Sequence, residues 1–537
     1  MPESVGLNVE TAGETAAETT EQMSAETDSV MADAGGSATE FTEKSGAKSS
    51  PEALAAGPSD PTVIQGDLNS IPWSSLDDKK VVVDGDLVVV DTYDLVRRGQ
   101  VKLARKRLFI PTSYLDPNDA DPRGNSFDGG SNVAEVVRAQ KYNDTATLTL
   151  DDGSTKQNIF PPKLFPQLGE QIKTIRVGSK VSNVSGKVSR VDGKWVLVPD
   201  APVDFEPAER PKRPSVGDAD ITLASFNVLN YFTTLDDGQN NARGADSASE
   251  FQRQEAKIVA AITGLQADVI GLMELENNLE AEAALVKALN KSQGDEVYAA
   301  CGLPDGFAES PGGGDSIRVG MIYRKDRVQP LGNVNMIKDP AFDVARTPIV
   351  QAFRSVDGGA PFTVIVNHFK SKGGADNADE TNKNKGDGQA AYNAARREQS
   401  MAIGDYVDQM LAKTPDARIV VIGDLNAYQQ EDPIDVLRDK GLVDLHEWNR
   451  LQTRDIGDLV GPAEYSFVYY GQCGSLDHAL ATPAFVEDLT GVATWHINAD
   501  EPRFIDYNEE YNPPALYQAD PFRSADHDPV LIGIRKE

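Results

Sequence analysis

Cysteine is almost absent from this chain of 537 residues: there are 2, Cys301 and Cys473. That excludes a small fold stapled by several disulfides. The two thiols form one bridge or sit apart, and both readings stay open. No apolar run approaches the roughly 18 residues of a membrane span. The first residues are acidic and polar, so no signal peptide is visible at the start. Positive charge is in deficit, with 52 Lys and Arg against 84 Asp and Glu and a formal net charge of −32. A broad basic face for gripping nucleic acid is therefore not on offer. A polyanionic substrate would need local relief from metal ions or a small Lys/Arg cluster. What is present is 39 % hydrophobic, enough for a sizeable core. At about 100–200 residues per domain, the length allows two to four domains.

Residues 1–60 are rich in Glu, Thr, Ala, Ser and Gly, with no Lys or Arg before Lys44. They read as a disordered acidic tail. Residues 61–205 read as a small β-rich, barrel-like domain. Val81–Val90 suggests two short strands about a turn, and further strand signals fall at Arg107–Pro111, Ala146–Leu150 and Val184–Val191. Asp116–Gly124 is an acidic loop whose ligand spacing is too irregular for a calcium loop, so it reads as solvated. Residues 206–217 form a proline-rich linker. From 218 to 537 helical and strand patterns alternate, which predicts an α/β domain.

The strands of this last region share one feature. Asn227, Glu274, His368, Asp424, Asn426, Asp477, Asp526 and His527 all stand at or beside the ends of apolar strands. One Asp or Asn in such a place is usually a turn former. A whole set limited to Asn, Asp, Glu and His points to a metal and phosphate site. Histidine is scarce, at 5 in the chain, yet His368, His478 and His527 all fall in these motifs. The central example is Ile419-Val-Val-Ile-Gly-Asp-Leu-Asn426, a buried strand running into a turn. If strand geometry persists, Asp424 and Asn426 point to the same side.

In order, Ala224-Ser-Phe-Asn-Val, Ile270-Gly-Leu-Met-Glu, Val366-Asn-His-Phe, Gly423-Asp-Leu-Asn, Ser475-Leu-Asp-His and Asp526-His-Asp-Pro-Val resemble the motifs of the endonuclease/exonuclease/phosphatase superfamily. Phe226–Phe232, Met273–Asn278, Asn367–Gly373 and Gly474–Leu480 narrow the resemblance to bacterial extracellular deoxyribonucleases of the ExeM and NucH type. Val88–Thr112 and Leu150–Asn158 resemble the segment preceding the nuclease in that group, so the likeness covers most of residues 80–537. Met273 stands where the superfamily usually has Gln, and Ala525 where it often has Ser. The fold implied is DNase I-like, a four-layer α/β sandwich.

The resemblance also implies a site. Glu274, Asn227 and Asp526 would hold a divalent cation, with Mg²⁺ expected first and Ca²⁺ or Mn²⁺ as alternatives; zinc would want a thiolate or His cluster. His527 would take the proton from the attacking water, oriented by Asp477. His368 would donate from the opposite side, while Asp424 and Asn426 position phosphate, nucleophile or a second metal. Arg318, Asn367, Lys370 and Lys372 are the expected phosphate contacts. Lys370, Lys372, Lys383, Lys385, Arg396 and Arg397 make a basic segment, read either as a DNA-backbone contact or as a solvated charge run. The activity expected is metal-dependent hydrolysis of DNA, with RNA as an alternative substrate, at an extracellular location. The rivals are a phosphatase or phosphodiesterase of the same fold and a non-catalytic surface binding module.

Overall fold

The computed structural model describes residues 60–119, 130–168, 174–453 and 464–536. The acidic tail expected to be disordered lies outside the described residues, as does the acidic loop from residue 120. The first strands are β1 (Thr62–Ile64), β2 (Lys80–Asp91), β3 (Gln100–Ala104), β4 (Leu108–Phe109), β5 (Thr147–Asp151), β6 (Lys180–Val191) and β7 (Lys194–Pro199). All but β4 join one sheet in the order β1-β2-β3-β5-β7-β6, and β2 also pairs with β6. That second pairing closes the expected barrel.

Two expectations for this region change. Val81–Val90 is not a hairpin but one continuous strand, whose pairing with β6 shifts register between Val83 and Asp86. Gly85 sits there at φ 79°, and a left-handed glycine lets a strand bend around a barrel at a bulge instead of turning back. Within this β-rich region Val133–Thr145 is a helix. The start of the acidic loop is not solvated either. Asp116 is fully buried and accepts backbone N–H groups from Asn118 and Asp119.

The remaining strands are β8 (Ile221–Tyr231), β9 (Val269–Glu276), β10 (Tyr298–Ala300), β11 (Ile317–Arg324), β12 (Val328–Met336), β13 (Ile349–Ser355), β14 (Phe362–His368), β15 (Ile419–Asp424), β16 (Val443–Asp444), β17 (Phe467–Tyr469), β18 (Gln472–Gly474), β19 (Asp477–Ala481), β20 (Leu489–Thr494) and β21 (Val530–Ile534). They build two six-stranded sheets, β10-β11-β9-β8-β21-β20 and β12-β13-β14-β15-β19-β16. The period of two explains the layering. Val420 and Ile422 of β15 enter the core between the sheets, while Ile419 and Val421 face outward. The outward face is covered by helices Asn393–Lys413 and Asp432–Asp439. The other sheet is covered by Ala248–Leu265 and Leu279–Gln293. Helix, sheet, sheet, helix is the four-layer DNase I-like sandwich.

Barrel and sandwich are not independent. β4 leaves the barrel to pair with β18 of the sandwich, which pairs in turn with β17. Phe504, Ile505 and Leu516, late in the chain, pack into the barrel's own hydrophobic core. The proline-rich segment is docked as well: Arg210 pairs with Glu501, and Pro211 O accepts from Trp495 Nε1. Cys301 and Cys473 are not bonded to each other, which settles the question left open above.

This interlocking predicts one cooperative unit. Phe504→Ala removes a buried ring from the barrel core, at a cost of about 3–5 kcal/mol. In scanning calorimetry it should lower the midpoint of a single unfolding transition. A separate barrel transition that moves while the sandwich transition stays in place would refute the coupling.

Candidate active site

The site grows out of strand alignment. β8 and β9 run parallel with Asn227 opposite Met273, so the next residue, Glu274, reaches the same end of that sheet. In the second sheet His368 pairs in register with Asp424, and Asp424 with Asp477. Three neighbouring strands thus deliver three polar side chains at one level. The turn before β21 adds Asp526 and His527. Gly423 makes the alignment possible: at φ 138°, a Cβ there would lie 2.0 Å from Asn367 O. Glu274 itself sits at φ 64° and Asn426 at φ 48°. Left-handed backbone at non-glycine residues is unfavourable, and its concentration here marks a site the surroundings hold in place.

The side chains converge across the gap between the sheets. Asn227 Nδ2 donates to Glu274 Oε1 at 2.9 Å and to Asp424 Oδ2 at 3.4 Å. Asn230 N donates to Glu274 Oε2 at 3.0 Å. His368 Nε2 lies 3.5 Å from Asp424 Oδ2, and His527 Nε2 lies 3.9 Å from the same oxygen. His527 Nδ1 and Asp477 Oδ2 are 2.7 Å apart, with Ser466 Oγ donating to that oxygen at 2.6 Å. Glu274, His368 and Asp424 each offer a ligand atom within 4.8 Å of the others. Asp526 Oδ1 is buried without a hydrogen-bond partner.

Burial shapes the electrostatics. It lifts the Asp424 carboxyl to about 7, with the His527 charge opposing and Asp477 adding to the rise. Glu274 is raised by burial and then by Asp526, against the hydrogen bond from Asn227. The two imidazoles move in opposite directions. Burial, then Arg346 and His527, holds His368 well below its ordinary value, so it is neutral. For His527 burial also opposes charge, but Asp477, Asp526 and Asp424 together hold it well above. Crowded carboxylates with raised pKa values and an orphaned oxygen suit a hard divalent cation bound through oxygen. Asn227 is placed differently from the expected ligand role. Its nitrogen faces the carboxylates while Oδ1 accepts from Leu229 N at 3.0 Å, so it spaces Glu274 and Asp424.

Several expected residues are not brought into the site. Arg318 is 1 % exposed, and its guanidinium is consumed by Asn278 O, Val319 O and Glu282. It is a core cation, not a phosphate contact. Asn367 is wholly buried and its Nδ2 donates to Ile365 O and Ile422 O, because alternation on β14 turns it away from His368. Lys372 is paired with Glu431 and donates to Gln389 O; burial, opposed by that carboxylate, lowers it to about 8. Lys370 does stay near: its ammonium lies 4.3 Å over the Tyr392 ring and its charge acts on His368. In the basic segment Arg396 is fully buried and donates to Gln389 O and Ala391 O, while Lys383 is exposed beside Glu380. The segment is therefore no continuous basic face. Asn426 does not continue strand geometry; its N–H donates to Asp424 Oδ1 and its amide to Phe369 O.

Other residues at the site gave little or no sequence signal. Arg346 Nη1 donates to Phe369 O at 3.0 Å, and its charge acts on His368, Glu274 and Asp424. As a lone arginine before a strand, nothing marked it out. His496 stacks on Tyr465 at 4.0 Å and lies between Asp528, at 2.9 Å, and Glu464, at 3.2 Å. Burial opposes its charge, but those partners raise it to about 10. Asn498 Nδ2 donates to His527 O at 2.7 Å, so this group pins the turn that carries His527. Only Asp528, inside the Asp526-His-Asp motif, carried a hint. His478 Nε2 donates to Ala427 O at 2.7 Å and serves the frame.

Two outcomes follow from these placements. Arg318→Ala strands the buried Glu282 carboxylate, which costs about 3–5 kcal/mol; denaturant unfolding should show it, and a stable variant with only a raised KM would restore the phosphate role. For Asp424 the raised value means the folded chain keeps a proton that the unfolded chain loses above 3.8. The linked stability is complete below 3.8 and is lost as pH rises through about 7. In chelator, Asp424→Asn should therefore raise the melting temperature most at pH 8 and least at pH 4. A gain that does not vary with pH would contradict this.

A sequence model described as "Endonuclease/Exonuclease/phosphatase family" matches residues 224–503. No curated protein matches the chain. Among solved structures, the human Nocturnin catalytic domain with bound sulfate is 14 % identical, with the match covering 59 % of this chain and 95 % of that one at a TM-score of 0.37. A mannosyl-6-phosphatase of Bacteroides thetaiotaomicron is 17 % identical over 58 % of this chain and 99 % of that one, TM-score 0.34. D. rerio TDP2, solved with a single-strand DNA product, is 14 % identical over 58 % and 97 %, TM-score 0.34. The family match takes in more than half of the chain and every site residue above except Asp526, His527 and Asp528, which follow it. With the ordered motifs and the two-sheet site, this makes the chain a member of the Endonuclease/Exonuclease/phosphatase family.

Proposed function

We propose that the protein is a divalent-metal-dependent nuclease that hydrolyses phosphodiester bonds of DNA. Hydrolysis of phosphate esters is the chemistry of its family. The observation that carries the reading is the pair of imidazoles flanking one carboxylate cluster, His368 and His527 at 3.5 and 3.9 Å from the same Asp424 oxygen, with His527 tied to Asp477 at 2.7 Å. Glu274, Asp526 and Asp424 would hold the cation. When bound, it would neutralise phosphate oxygens and stabilise the charge that builds during hydrolysis.

The remaining chemistry belongs to the chain. Asp477 fixes the ring of His527; with a cation offsetting the neighbouring carboxylates, its Nε2 would be the atom that takes the proton from the attacking water. Neutral His368 donates a hydrogen bond from the other wall. Arg346 supplies positive charge beside His368 and Asp424, where a non-bridging phosphate oxygen can be bound. DNA as substrate and an extracellular setting rest on the likeness of the motifs to extracellular deoxyribonucleases. A second reading, a phosphatase on a small ester, is favoured by the net charge of −32 and by the burial of Lys372 and Arg396.

Purified protein should nick or degrade plasmid DNA with Mg²⁺, Ca²⁺ or Mn²⁺ and stop in chelator. His527→Ala should lose about 10²–10⁴-fold in kcat. The same cations should raise the melting temperature of the wild type, through a stabilisation of about 2.7 kcal/mol at one hundred times Kd, but not that of Glu274→Gln. Intact plasmid under every cation, beside rapid phosphate release from a mononucleotide, would select the second reading.

A further inference from the structure

The hairpin of β17 and β18 carries a run of aromatic rings away from the two histidines. The Phe467 ring lies 4.7 Å from that of His527, tilted by 32°. Tyr469 follows two residues on, on the same strand face, 6.4 Å from Phe467 and within 21° of parallel. Tyr470 meets Tyr469 edge-on at 4.6 Å and 78°. Lys102, on β3 of the barrel, holds its ammonium 5.2 Å from the Tyr470 ring centroid while pairing with Asp91 at 3.1 Å. Phe467 and Tyr469 are half-buried, and Tyr470 is 40 % exposed. The run therefore starts against His527, crosses the hairpin and ends beside a barrel lysine.

The tip of the hairpin adds a second observation. Tyr470 and Gly471 are its two turn residues, at φ 48° and 84°. Such a turn favours Asn, Asp or Gly at its first position. A large aromatic residue there is strained, and being exposed, it recovers little by burial. Tyr469 and Lys102 take up part of the ring, yet it stays exposed in a backbone conformation that suits a smaller residue, and its open surface is available to a flat ligand.

We infer that Phe467, Tyr469 and Tyr470 form a stacking track for the bases of an unpaired nucleic-acid strand whose scissile phosphate lies between His368 and His527. This rests on the nuclease reading and names its preferred substrate. Every base has a π face, so stacking on rings tolerates any sequence. In a duplex those faces are hidden against neighbouring bases, so the track selects unpaired strands. The 6.4 Å between Phe467 and Tyr469 exceeds the step of about 3.4 Å per base of a stacked strand. A strand on the track has its bases spread, each meeting protein instead of its neighbour. Lys102 offers the backbone a counter-charge at the far end.

The test uses the full chain with Mg²⁺ on three substrates: a single-stranded oligonucleotide, the duplex of the same sequence, and an abasic strand of equal length. The single strand should have the highest kcat/KM. Tyr470→Asn and Tyr469→Leu should each raise its KM by about 5- to 150-fold, the range for loss of one stacked base. Both variants should lower hydrolysis of the abasic strand far less than that of the intact strand. Tyr470→Asn should melt no lower than wild type, since Asn suits the turn, which separates lost stacking from lost folding. In a His527→Ala background, 2-aminopurine in the strand should be quenched on binding, and less so with Tyr470→Asn added. Unaltered KM in both variants, or equal rates on all three substrates, overturns the track and leaves the nuclease reading standing. Hydrolysis of a mononucleotide with none of any strand overturns both.

Discussion

The site is governed by like charge confined where water is scarce. Glu274, Asp424, Asp477 and Asp526 are brought within reach of one another, and burial raises the first two. Each neighbour answers that repulsion in its own way. Asn227 places an amide between Glu274 and Asp424. His527 lies between Asp477 and Asp424, which raise its imidazole above the ordinary value. Arg346 lends its field from the side. The arrangement is tense unless a cation completes it, and that tension is what makes it suited to binding metal and phosphate.

Such crowding survives only on a stiff frame. Parallel and antiparallel pairing set His368, Asp424 and Asp477 side by side on three adjacent strands. The facing sheet contributes Asn227 and Glu274 at the same end. The barrel then braces the one wall that strands do not hold. β4 extends the hairpin leading to Asp477, and barrel residue Arg107 grips Asp500, at 2.7 Å and 3.1 Å, close to the turn of His527. The first module is thus part of the construction of the site, whatever else it binds.

Residues differ in how clearly they announced this. Glu274, His368, Asp424, Asp477 and His527 stand at the ends of strongly apolar strands, and those strands form where their patterns predict. Arg318 also stood beside such an end, yet it lies in the core. Strand pattern gives a residue's height along a sheet but not its partners, and Glu282 on a neighbouring helix claims it. Lys372 and Arg396 looked like a basic surface because charge runs are usually solvated. Glu431 and backbone carbonyls drew them inside. Arg346, Asn498 and His496 act through contacts with segments far away in the chain, so no local spacing betrayed them.

By itself the sequence determined the α/β order, the barrel ahead of it and the set of polar strand ends, because hydrophobic periodicity and turn chemistry are local. Only the tertiary structure decided that Asn227 spaces carboxylates, that Arg318 belongs to the core, that Val81–Val90 is one bent strand, and that the barrel shares its core and a strand with the sandwich. Those outcomes depend on which distant groups meet and on how much water is left between them, and neither is written in any short stretch of residues.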